Sequence, residues 1–284
     1  MPELTVGWGQ LIREGAERLR RSGVREPRRQ ALRIWNELSP GASATVFLEP
    51  DWPVGGGLAC RFENAVGRRA RGEPLAHVTG RAGFRRMSLM SDNRALIPRP
   101  ETEGLVDLLL QRVRMGRVVD VGTGCGCIAL SLAQEGTFDE IVGVDSSAGA
   151  LQLAGLNRRA LGMPVNFVLG DLCRPLRPDT FDALISNPPY LTVAEYTTLD
   201  GSVREWEPAL ALASGEDGMA ATTRLLDEGR GVLREGGWLA LEVDCSRAAM
   251  GARRACEFGW HDVSVHTDLF GRERYLLARR SNTR

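Results

Sequence analysis

The sequence predicts an α/β fold in which a mostly parallel sheet follows a small helical domain. The 284 residues are enough for one large domain and one small one. Residues 1–72 carry apolar side chains at helical spacing, whereas short apolar strands alternate with helices from about residue 100 onward. Strands interleaved with helices of this length are typical of a parallel sheet that helices cover on both faces.

The chain divides into three predicted regions. Residues 1–72 are the helical domain, residues 73–98 are a linker hairpin rich in turn-forming residues, and residues 99–284 are the sheet domain. Arginines are frequent on the polar faces of the first two predicted helices. The apolar residues of these helices are Leu11, Ile12, Ala16 and Leu19, and then Ala31, Leu32, Ile34, Trp35 and Leu38. Those arginines indicate either a solvated helix face or a docking surface for an acidic partner.

Seven strands and four helices are predicted in the sheet domain. The predicted strands are residues 117–121, 140–145, 164–169, 181–186, 236–243, 261–266 and 274–279. The predicted helices are residues 126–135, 147–161, 219–233 and 246–258. Ligands of such folds bind at the carboxyl ends of the strands, so the segments that follow the first, second and fourth strands are candidate site segments.

Composition and charge exclude several classes of protein. The 36 basic residues are balanced by 36 acidic ones, so binding of bare nucleic acid through charge is not expected. Every one of these bases is arginine, which excludes Schiff-base chemistry at lysine. The six cysteines include no Cys-x-x-Cys pair, so we expect no metal and a reducing cytoplasm. No apolar run reaches the roughly 18 residues of a membrane span and no signal-peptide pattern is present, so we expect a cytoplasmic protein without membrane contact.

A glycine-rich turn follows the first strand of the sheet domain and leads into a helix. It consists of Gly122, Thr123, Gly124, Cys125 and Gly126. Glycines let backbone amides approach a ligand closely, and the helix start adds partial positive charge. The next strand ends at Asp145, whose carboxylate can accept both hydroxyls of a ribose. We therefore expect a nucleoside-bearing cofactor across the ends of these two strands.

The spacing of the glycines separates two classes of cofactor. Gly-x-Gly-x-Gly is typical of methyltransferases that use S-adenosylmethionine (SAM), whereas nicotinamide enzymes carry Gly-x-Gly-x-x-Gly. Cys127 stands where the third glycine of the nicotinamide pattern falls. The remaining alternative is a turn that merely packs, and the acid at the end of the next strand argues against it.

The fourth strand leads directly into Asn187, Pro188, Pro189 and Tyr190. The two prolines remove backbone donors and stiffen the chain, so a carbonyl and the Asn187 oxygen are expected to face the cleft as fixed acceptors. Tyr190 offers an aromatic face to a planar group. Two such acceptors can hold both hydrogens of an amide or amino group and turn its lone pair towards a sulfonium methyl group. The alternative is a proline-rich turn that only ends a strand.

Further segments complete a recognisable set. They are residues 71–76 (Arg-Gly-Glu-Pro-Leu-Ala) with Gly80, 96–103 (Leu-Ile-Pro-Arg-Pro-Glu-Thr-Glu), 119–124, 170–171, 186–190, 205–210 with 215–218, and 268–274. From about residue 71 to its end the chain resembles the HemK/PrmC family of protein-(glutamine-N5) methyltransferases.

The resemblance implies a seven-stranded, mostly parallel, Rossmann-like SAM-methyltransferase sheet with a small N-terminal helical domain and a connecting hairpin. It implies SAM-dependent methylation of the glutamine side-chain amide in the Gly-Gly-Gln motif of class I peptide chain release factors. S-adenosyl-L-homocysteine is then the product, and no metal takes part. In the family the helical domain helps to hold the protein substrate. We expect the release factor as partner and a monomeric enzyme.

The resemblance also assigns roles to the cofactor residues. The turn from Gly122 to Gly126 would cradle the methionine part of SAM, and Asp145 would bind the ribose. Asp171 and Leu172 would flank the adenine. Arg99 and Glu101 would line the methionine end or form a salt bridge.

The substrate and catalytic roles fall on the tetrapeptide. Asn187, with the backbone of Pro188 and Tyr190, would clamp the glutamine, with Pro189 beside them. Asn187 would also contact the cofactor.

Two departures from the family pattern bear on the choice of substrate. Residues 242–247 read Glu-Val-Asp-Cys-Ser-Arg where the family shows a glycine and a glutamine, and His77 replaces a frequent tyrosine. The alternatives are glutamine methylation of a ribosomal protein or of a specialised-metabolism peptide, and adenine methylation in DNA, against which the balanced charge argues. A SAM-fold binding module without catalysis is a further alternative, against which Asn187 and Asp145 argue.

Overall fold

The computed structural model describes residues 7–40, 49 and 51–281 of the chain. These residues form two compact units. The helical unit contains the described residues up to Arg81 together with Gly201–Trp206. The sheet unit contains residues 82–200 and 207–281.

The helical unit packs its amphipathic helices around an aromatic core. Its first helices are α1 (Trp8–Arg21), α2 (Pro27–Leu38), α3 (Gly56–Ala70) and α4 (Leu75–Thr79). The edge of Phe62 packs against Trp35, with their ring centroids 5.6 Å apart. Gly15 permits this close packing, because a Cβ at that position would lie 2.8 Å from the Phe62 ring. The predicted helices α1 and α2 are confirmed, whereas α3 is not predicted because it begins with glycines.

Seven strands form the predicted, mostly parallel sheet. The strands of the chain are β1 (Arg81–Phe84), β2 (Met87–Met90), β3 (Met115–Val121), β4 (Thr137–Asp145), β5 (Asn166–Leu169), β6 (Phe181–Ser186), β7 (Leu233–Glu242), β8 (Trp260–Thr267) and β9 (Glu273–Arg280). β1 and β2 form a hairpin, and the others form one sheet in the order β5-β4-β3-β6-β7-β9-β8. The pairs from β5 to β7 are parallel, and β9 runs antiparallel to both its neighbours. The predicted fold class is confirmed.

Helices cover both faces of this sheet. They are α5 (Pro100–Leu110), α6 (Cys127–Glu135), α7 (Ala148–Leu161), α10 (Ala220–Val232) and α11 (Ala248–Glu257), with the short α8 (Val193–Thr197) between α7 and α10 in the chain. The short helix α9 (Gly201–Arg204) follows α8 in the chain but belongs to the helical unit. Successive residues of β3 serve opposite faces: Val118 belongs to the apolar cluster of Leu105, and Val119 to that of Leu225. The sequence predicts four of the long helices but not α5, whose start is marked by prolines at 98 and 100.

The carboxyl ends of β3, β4, β5 and β6 meet at one edge of the sheet. This follows from their parallel pairing, in which Val121 lies opposite Val144, Asp145 opposite Leu169, and Asp120 opposite Ile185. The segments after these strands therefore converge. Within residues 7–40 and 51–281, no helix is both long and apolar enough to cross a membrane.

Candidate active site

A cavity of about 410 Å³ opens at this edge of the sheet. Its wall includes residues 122–125, 145–147 and 170–172 together with Asn187 and Pro189, which follow β3, β4, β5 and β6. Residues from the segments 94–99 and 208–215 also line the cavity. The volume lies in the range of pockets that bind cofactors and drug-sized ligands.

The glycine turn is fastened to the end of β4. The amides of Gly122 and Thr123 both donate to the carbonyl of Val144, at 2.8 and 2.9 Å. Gly122, Gly124 and Gly126 have φ angles of 73°, 56° and 86°, which an L side chain rarely adopts. Gly122 and Gly124 line the cavity, whereas Gly126 is the residue before the first turn of α6. The backbone geometry, and not only close approach of a ligand, therefore requires these glycines.

The buried carboxyl group of Asp120 holds the glycine turn in place through hydrogen bonds. Asp120 Oδ2 accepts hydrogen bonds from Thr123 Oγ1 at 2.6 Å and from the Ala129 amide at 3.1 Å. Burial raises the pKa of Asp120 to about 7. Asp120 thus ties the turn to the first turn of α6.

Asp145 lies at the cavity wall, and each of its two carboxylate oxygens accepts one hydrogen bond from a backbone amide. Its Oδ2 accepts the Gly124 amide at 2.8 Å and its Oδ1 accepts the Ser147 amide at 2.9 Å. Burial raises the pKa of this carboxyl group, although the two amides oppose the shift. Since each carboxylate oxygen has more than one lone pair, Asp145 can still accept two further donors.

Asp171 and Leu172 also line the cavity, and an arginine holds the first of them. Arg224 on α10 donates from its two terminal nitrogens to the two oxygens of Asp171, each at 3.0 Å. This bidentate contact lowers the pKa of Asp171. Leu172 has a φ of 49°, an uncommon conformation for a residue with a side chain.

The tetrapeptide after β6 contributes two residues to the wall. Asn187 and Pro189 line the cavity, and Pro188 is buried. Tyr190 is partly buried, and burial together with the charge of Glu242 raises its pKa to about 12. Its carbonyl lies against Gly218, where a Cβ would collide with it.

The Asn187 side chain is held by a chain of two hydrogen bonds. Its Nδ2 donates to Thr102 Oγ1 at 3.0 Å, and Thr102 Oγ1 donates to Glu242 Oε2 at 2.7 Å. Thr102 and Glu242 are 2% and 1% exposed. With the nitrogen bound in this way, the Asn187 oxygen is left as an acceptor.

Arg99 and Glu101 take different positions. Arg99 lines the cavity and donates to Glu207 Oε1 at 2.6 Å, while the Ile97 amide donates to Glu207 Oε2 at 3.0 Å. Glu207 is buried, so this carboxylate fixes the wall segment 97–99. Glu101 forms an ion pair with Arg272 at 3.4 Å.

Two family models and several relatives match this chain. Residues 10–80 match the PrmC N-terminal domain, and residues 101–200 match the Methyltransferase small domain. The chain is 40% identical to the release factor glutamine methyltransferase of Deinococcus radiodurans, over 95% of this chain and 98% of the relative. The chain belongs to the release factor glutamine methyltransferase family. The family predicted from the sequence, and with it the methyltransferase class of enzyme, is confirmed.

Another relative matches most of this chain, and one solved structure shares its fold. The release factor glutamine methyltransferase of Nitratidesulfovibrio vulgaris is 37% identical over 95% of this chain and 94% of its own length. A methyltransferase from Pyrococcus furiosus shares the fold, with a TM-score of 0.53 at 17% identity over 68% of this chain and 89% of that one.

The two departures from the family pattern have structural roles. In residues 242–247, Glu242 binds Thr102, and Arg247 donates to both oxygens of Glu195 at 2.8 Å. His77 is buried within the helical unit.

The residues present fit SAM. The glycine turn leaves open space, since a Cβ on Gly122 would have its nearest neighbour, Ser186 Oγ, at 4.0 Å. Asp145 offers charged acceptors, and Leu172 offers an apolar wall in the same cavity. In the described part of the chain, no group of three or more His, Cys, Asp or Glu side chains is arranged to hold a metal ion.

Three residues that shape the site are not predicted from the sequence. Thr102 and Arg224 line the cavity from helices, and Glu242 reaches Thr102 from the end of β7. The only signal for Thr102 and Glu242 is that each lies in or beside a segment of the family pattern. Arg224 has no signal of its own, because an arginine on an amphipathic helix is usually solvated.

Proposed function

We propose that the protein methylates the side-chain amide nitrogen of the glutamine in the Gly-Gly-Gln motif of class I peptide chain release factors. The observation that carries the proposal is Asn187 at the cavity wall, with its nitrogen bound to Thr102 and its oxygen left as an acceptor. The names of the relatives, release factor glutamine methyltransferases at 40% and 37% identity, support the substrate.

The cavity is proposed to hold SAM along the ends of β3, β4 and β5. Asp145 accepts the ribose hydroxyls, Asp171 and Leu172 flank the adenine, and the turn from Gly122 to Gly126 faces the methionine part. Arg224 keeps the Asp171 carboxylate in place. When bound, SAM supplies an electrophilic methyl group on a sulfonium sulfur and is converted to S-adenosylhomocysteine.

The tetrapeptide is proposed to make the substrate amide reactive. An amide nitrogen is a weak nucleophile because its lone pair is delocalised into the carbonyl group. The Asn187 oxygen and the Pro188 carbonyl accept the two amide hydrogens, which turns the lone pair towards the methyl group, and Tyr190 supports the amide plane. The N–C bond forms as the S–C bond breaks, and the nitrogen then loses one hydrogen as a proton to water. Positioning and fixed dipoles supply the rate enhancement, so no general base is required.

The helical unit is proposed to dock the release factor. Arg28 and Arg33 on α2 are exposed, whereas the neighbouring Arg29 pairs with Glu26 at 3.2 Å. Exposed arginines on one helix can bind an acidic protein surface and speed association.

Label transfer with mass mapping tests the proposed function. The protein is incubated with methyl-labelled SAM and equal amounts of a purified release factor, a ribosomal protein and DNA. We expect the label on the glutamine of the Gly-Gly-Gln motif. Label on the ribosomal protein, or on adenine in the DNA, would overturn the proposal. An Asn187→Ala sample is the control, because label that still appears in it was not transferred by this site.

A further inference from the structure

Glu242 lies outside the cavity wall but is connected to it through one hydroxyl group. Ser186 pairs with Leu241 across β6 and β7, so Asn187 and Glu242 follow at neighbouring positions of the sheet edge. Thr102, from the first turn of α5, bridges them with hydrogen bonds of 3.0 and 2.7 Å. The bridge joins a buried acid to the residue that is proposed to hold the substrate.

We propose that Glu242, acting through Thr102, is a positioning residue that keeps the Asn187 amide turned with its oxygen towards the substrate. The inference rests on the proposed function, in which that oxygen accepts a hydrogen of the glutamine amide. Glu242 touches neither substrate nor cofactor in this arrangement. Its role is to set the direction of two hydrogen bonds.

The direction follows from counting hydrogens. An ionised carboxylate only accepts, so the single hydrogen of the Thr102 hydroxyl points to Glu242. The remaining lone pairs of that oxygen then accept from Asn187 Nδ2. A flipped amide would set the Asn187 oxygen against the Thr102 oxygen with no hydrogen between them, and it would turn a donor towards the substrate amide.

A protonated Glu242 permits the opposite direction. Its carboxyl hydrogen can point to Thr102, whose own hydrogen is then free to point to the Asn187 oxygen. The amide would turn its NH2 group to the cavity, where it cannot accept. The charged form of Glu242 therefore enforces the substrate-holding direction, whereas the neutral form allows both directions.

The groups around Glu242 have opposing effects on its charged and its protonated form. Arg274 lies 3.9 Å from Oε1 and, with Arg99, favours the charged form, whereas Glu101 opposes it. The phenols of Tyr190 and Tyr275 also face the group and are neutral near pH 7. Burial is the largest effect and raises the pKa of Glu242 to about 7. The fraction with the correct direction therefore falls as the pH falls through about 7.

The first test needs no substrate. In the full-length protein, the 1H–15N signals of the Asn187 side-chain amide are followed by NMR from about pH 6 to about pH 8 and assigned through their loss in Asn187→Ala. We expect one hydrogen protected from exchange by Thr102, and a pH-dependent shift that is absent in Glu242→Gln. Signals that titrate identically in wild type and Glu242→Gln would overturn the inference even if methylation of release factors is confirmed.

The second test measures methyl transfer at saturating SAM. Thr102→Val is expected to lower kcat/KM roughly tenfold to a hundredfold, as expected for a lost hydrogen bond to a charged group, with the SAM affinity unchanged within about twofold. Thr102→Ser keeps the hydroxyl and is expected to restore most of the activity. Thr222→Val is the matched control, because Thr222 is also buried but its hydroxyl has no hydrogen-bond partner among the residues that the structure describes.

The pH profile separates positioning from a merely structural role. Wild-type kcat/KM is expected to fall below about pH 7, and Glu242→Gln is expected to lose that limb. Asp120 also has a pKa of about 7. Because Asp120 supports the glycine turn, its titration is expected to change the affinity for SAM. Saturating SAM removes that effect from the measured kcat/KM. An acid limb that persists in Glu242→Gln, or equal losses in Thr102→Val and Thr222→Val, would overturn the inference.

Discussion

Replacing Asn187 with alanine removes the side-chain acceptor for the substrate amide. The nitrogen of the substrate amide gains positive charge as the methyl group is transferred. The hydrogens on that nitrogen therefore bind an acceptor more strongly in the transition state than in the ground state. Loss of one pre-oriented group of this kind lowers kcat by about 10²- to 10³-fold. Among the described residues, the Asn187 side chain makes one hydrogen bond that is lost, the one to Thr102 at 3.0 Å. The cost in folding free energy is therefore about 1 kcal/mol, which lowers Tm by about 2–4 °C in a chain of this size.

The assay uses a short Gly-Gly-Gln peptide, so that docking of the whole release factor does not enter the rate. Label transfer from SAM gives kcat, calorimetry gives the Kd of SAM, and thermal melting gives the stability. Asn166→Ala is the matched control, because Asn166 is exposed at the start of β5. We expect the SAM Kd of Asn187→Ala to stay within about threefold of wild type, since Asp145 and the glycine turn remain. Equal losses of SAM affinity and turnover would refute the reasoning, because Asn187 would then be a structural residue.

Asp145→Ala is expected to weaken SAM binding by roughly tenfold to a hundredfold, because a charged acceptor of the ribose is lost; calorimetry measures this, and an unchanged Kd contradicts the ribose assignment. Arg28→Glu combined with Arg33→Glu is expected to raise KM several-fold for a whole release factor but not for a short peptide, as charge reversal at a docking surface does. Equal KM values for variant and wild type on the whole factor would exclude these arginines from docking. Burial raises the pKa of Asp120 from 3.8 to about 7, so near neutrality the folded protein holds a proton that the unfolded chain has already lost. Asp120 therefore lowers the stability without SAM by about 1 kcal/mol as the pH rises from 6 to 8, and Glu242, whose pKa burial also raises to about 7, adds a similar decrease. Thermal melting checks this, and a Tm slope that is the same in Asp120→Asn would contradict it.

The sheet could be predicted because its strands carry strong local patterns. Residues 181–186 are mostly apolar, lead directly into the Asn187 tetrapeptide, and form β6 with the predicted bounds. β4 begins at Thr137, before the predicted start at 140, because residues 137–139 (Thr-Phe-Asp) form no apolar run although Thr137 and Phe138 pair with β3. Local pattern shows where a strand has its apolar core, and pairing with a neighbour decides where it begins.

The site was predictable only where each residue carries its own motif. The glycine turn, Asp145 and Asn187 follow strands, so topology alone indicates one edge for all of them. Thr102 and Glu242 lie 140 positions apart in sequence and meet through the packing of α5 beside β7. A hydrogen bond of this kind depends on the side-chain positions of the folded chain, and no local pattern in the sequence encodes it.

The position of the wall segment 97–99 likewise depends on a contact that no local sequence pattern encodes. Its proline-rich sequence indicates a turn, but what fixes its position is the buried Glu207, more than a hundred residues later. Removing Arg99 would leave the buried Glu207 carboxylate without its charged partner, so the wall of the cavity depends on both residues. The separate sequence segments of the family pattern are therefore joined in the structure by charge and hydrogen bonding.

A crystal structure with S-adenosylhomocysteine and a Gly-Gly-Gln peptide tests the central claim most directly. We expect the glutamine amide nitrogen to lie in the cavity, within hydrogen-bond distance of the Asn187 oxygen and in line with the sulfur of the cofactor product. A glutamine whose carbonyl oxygen, and not its nitrogen, faces Asn187, or a cofactor bound away from Asp145, would contradict it.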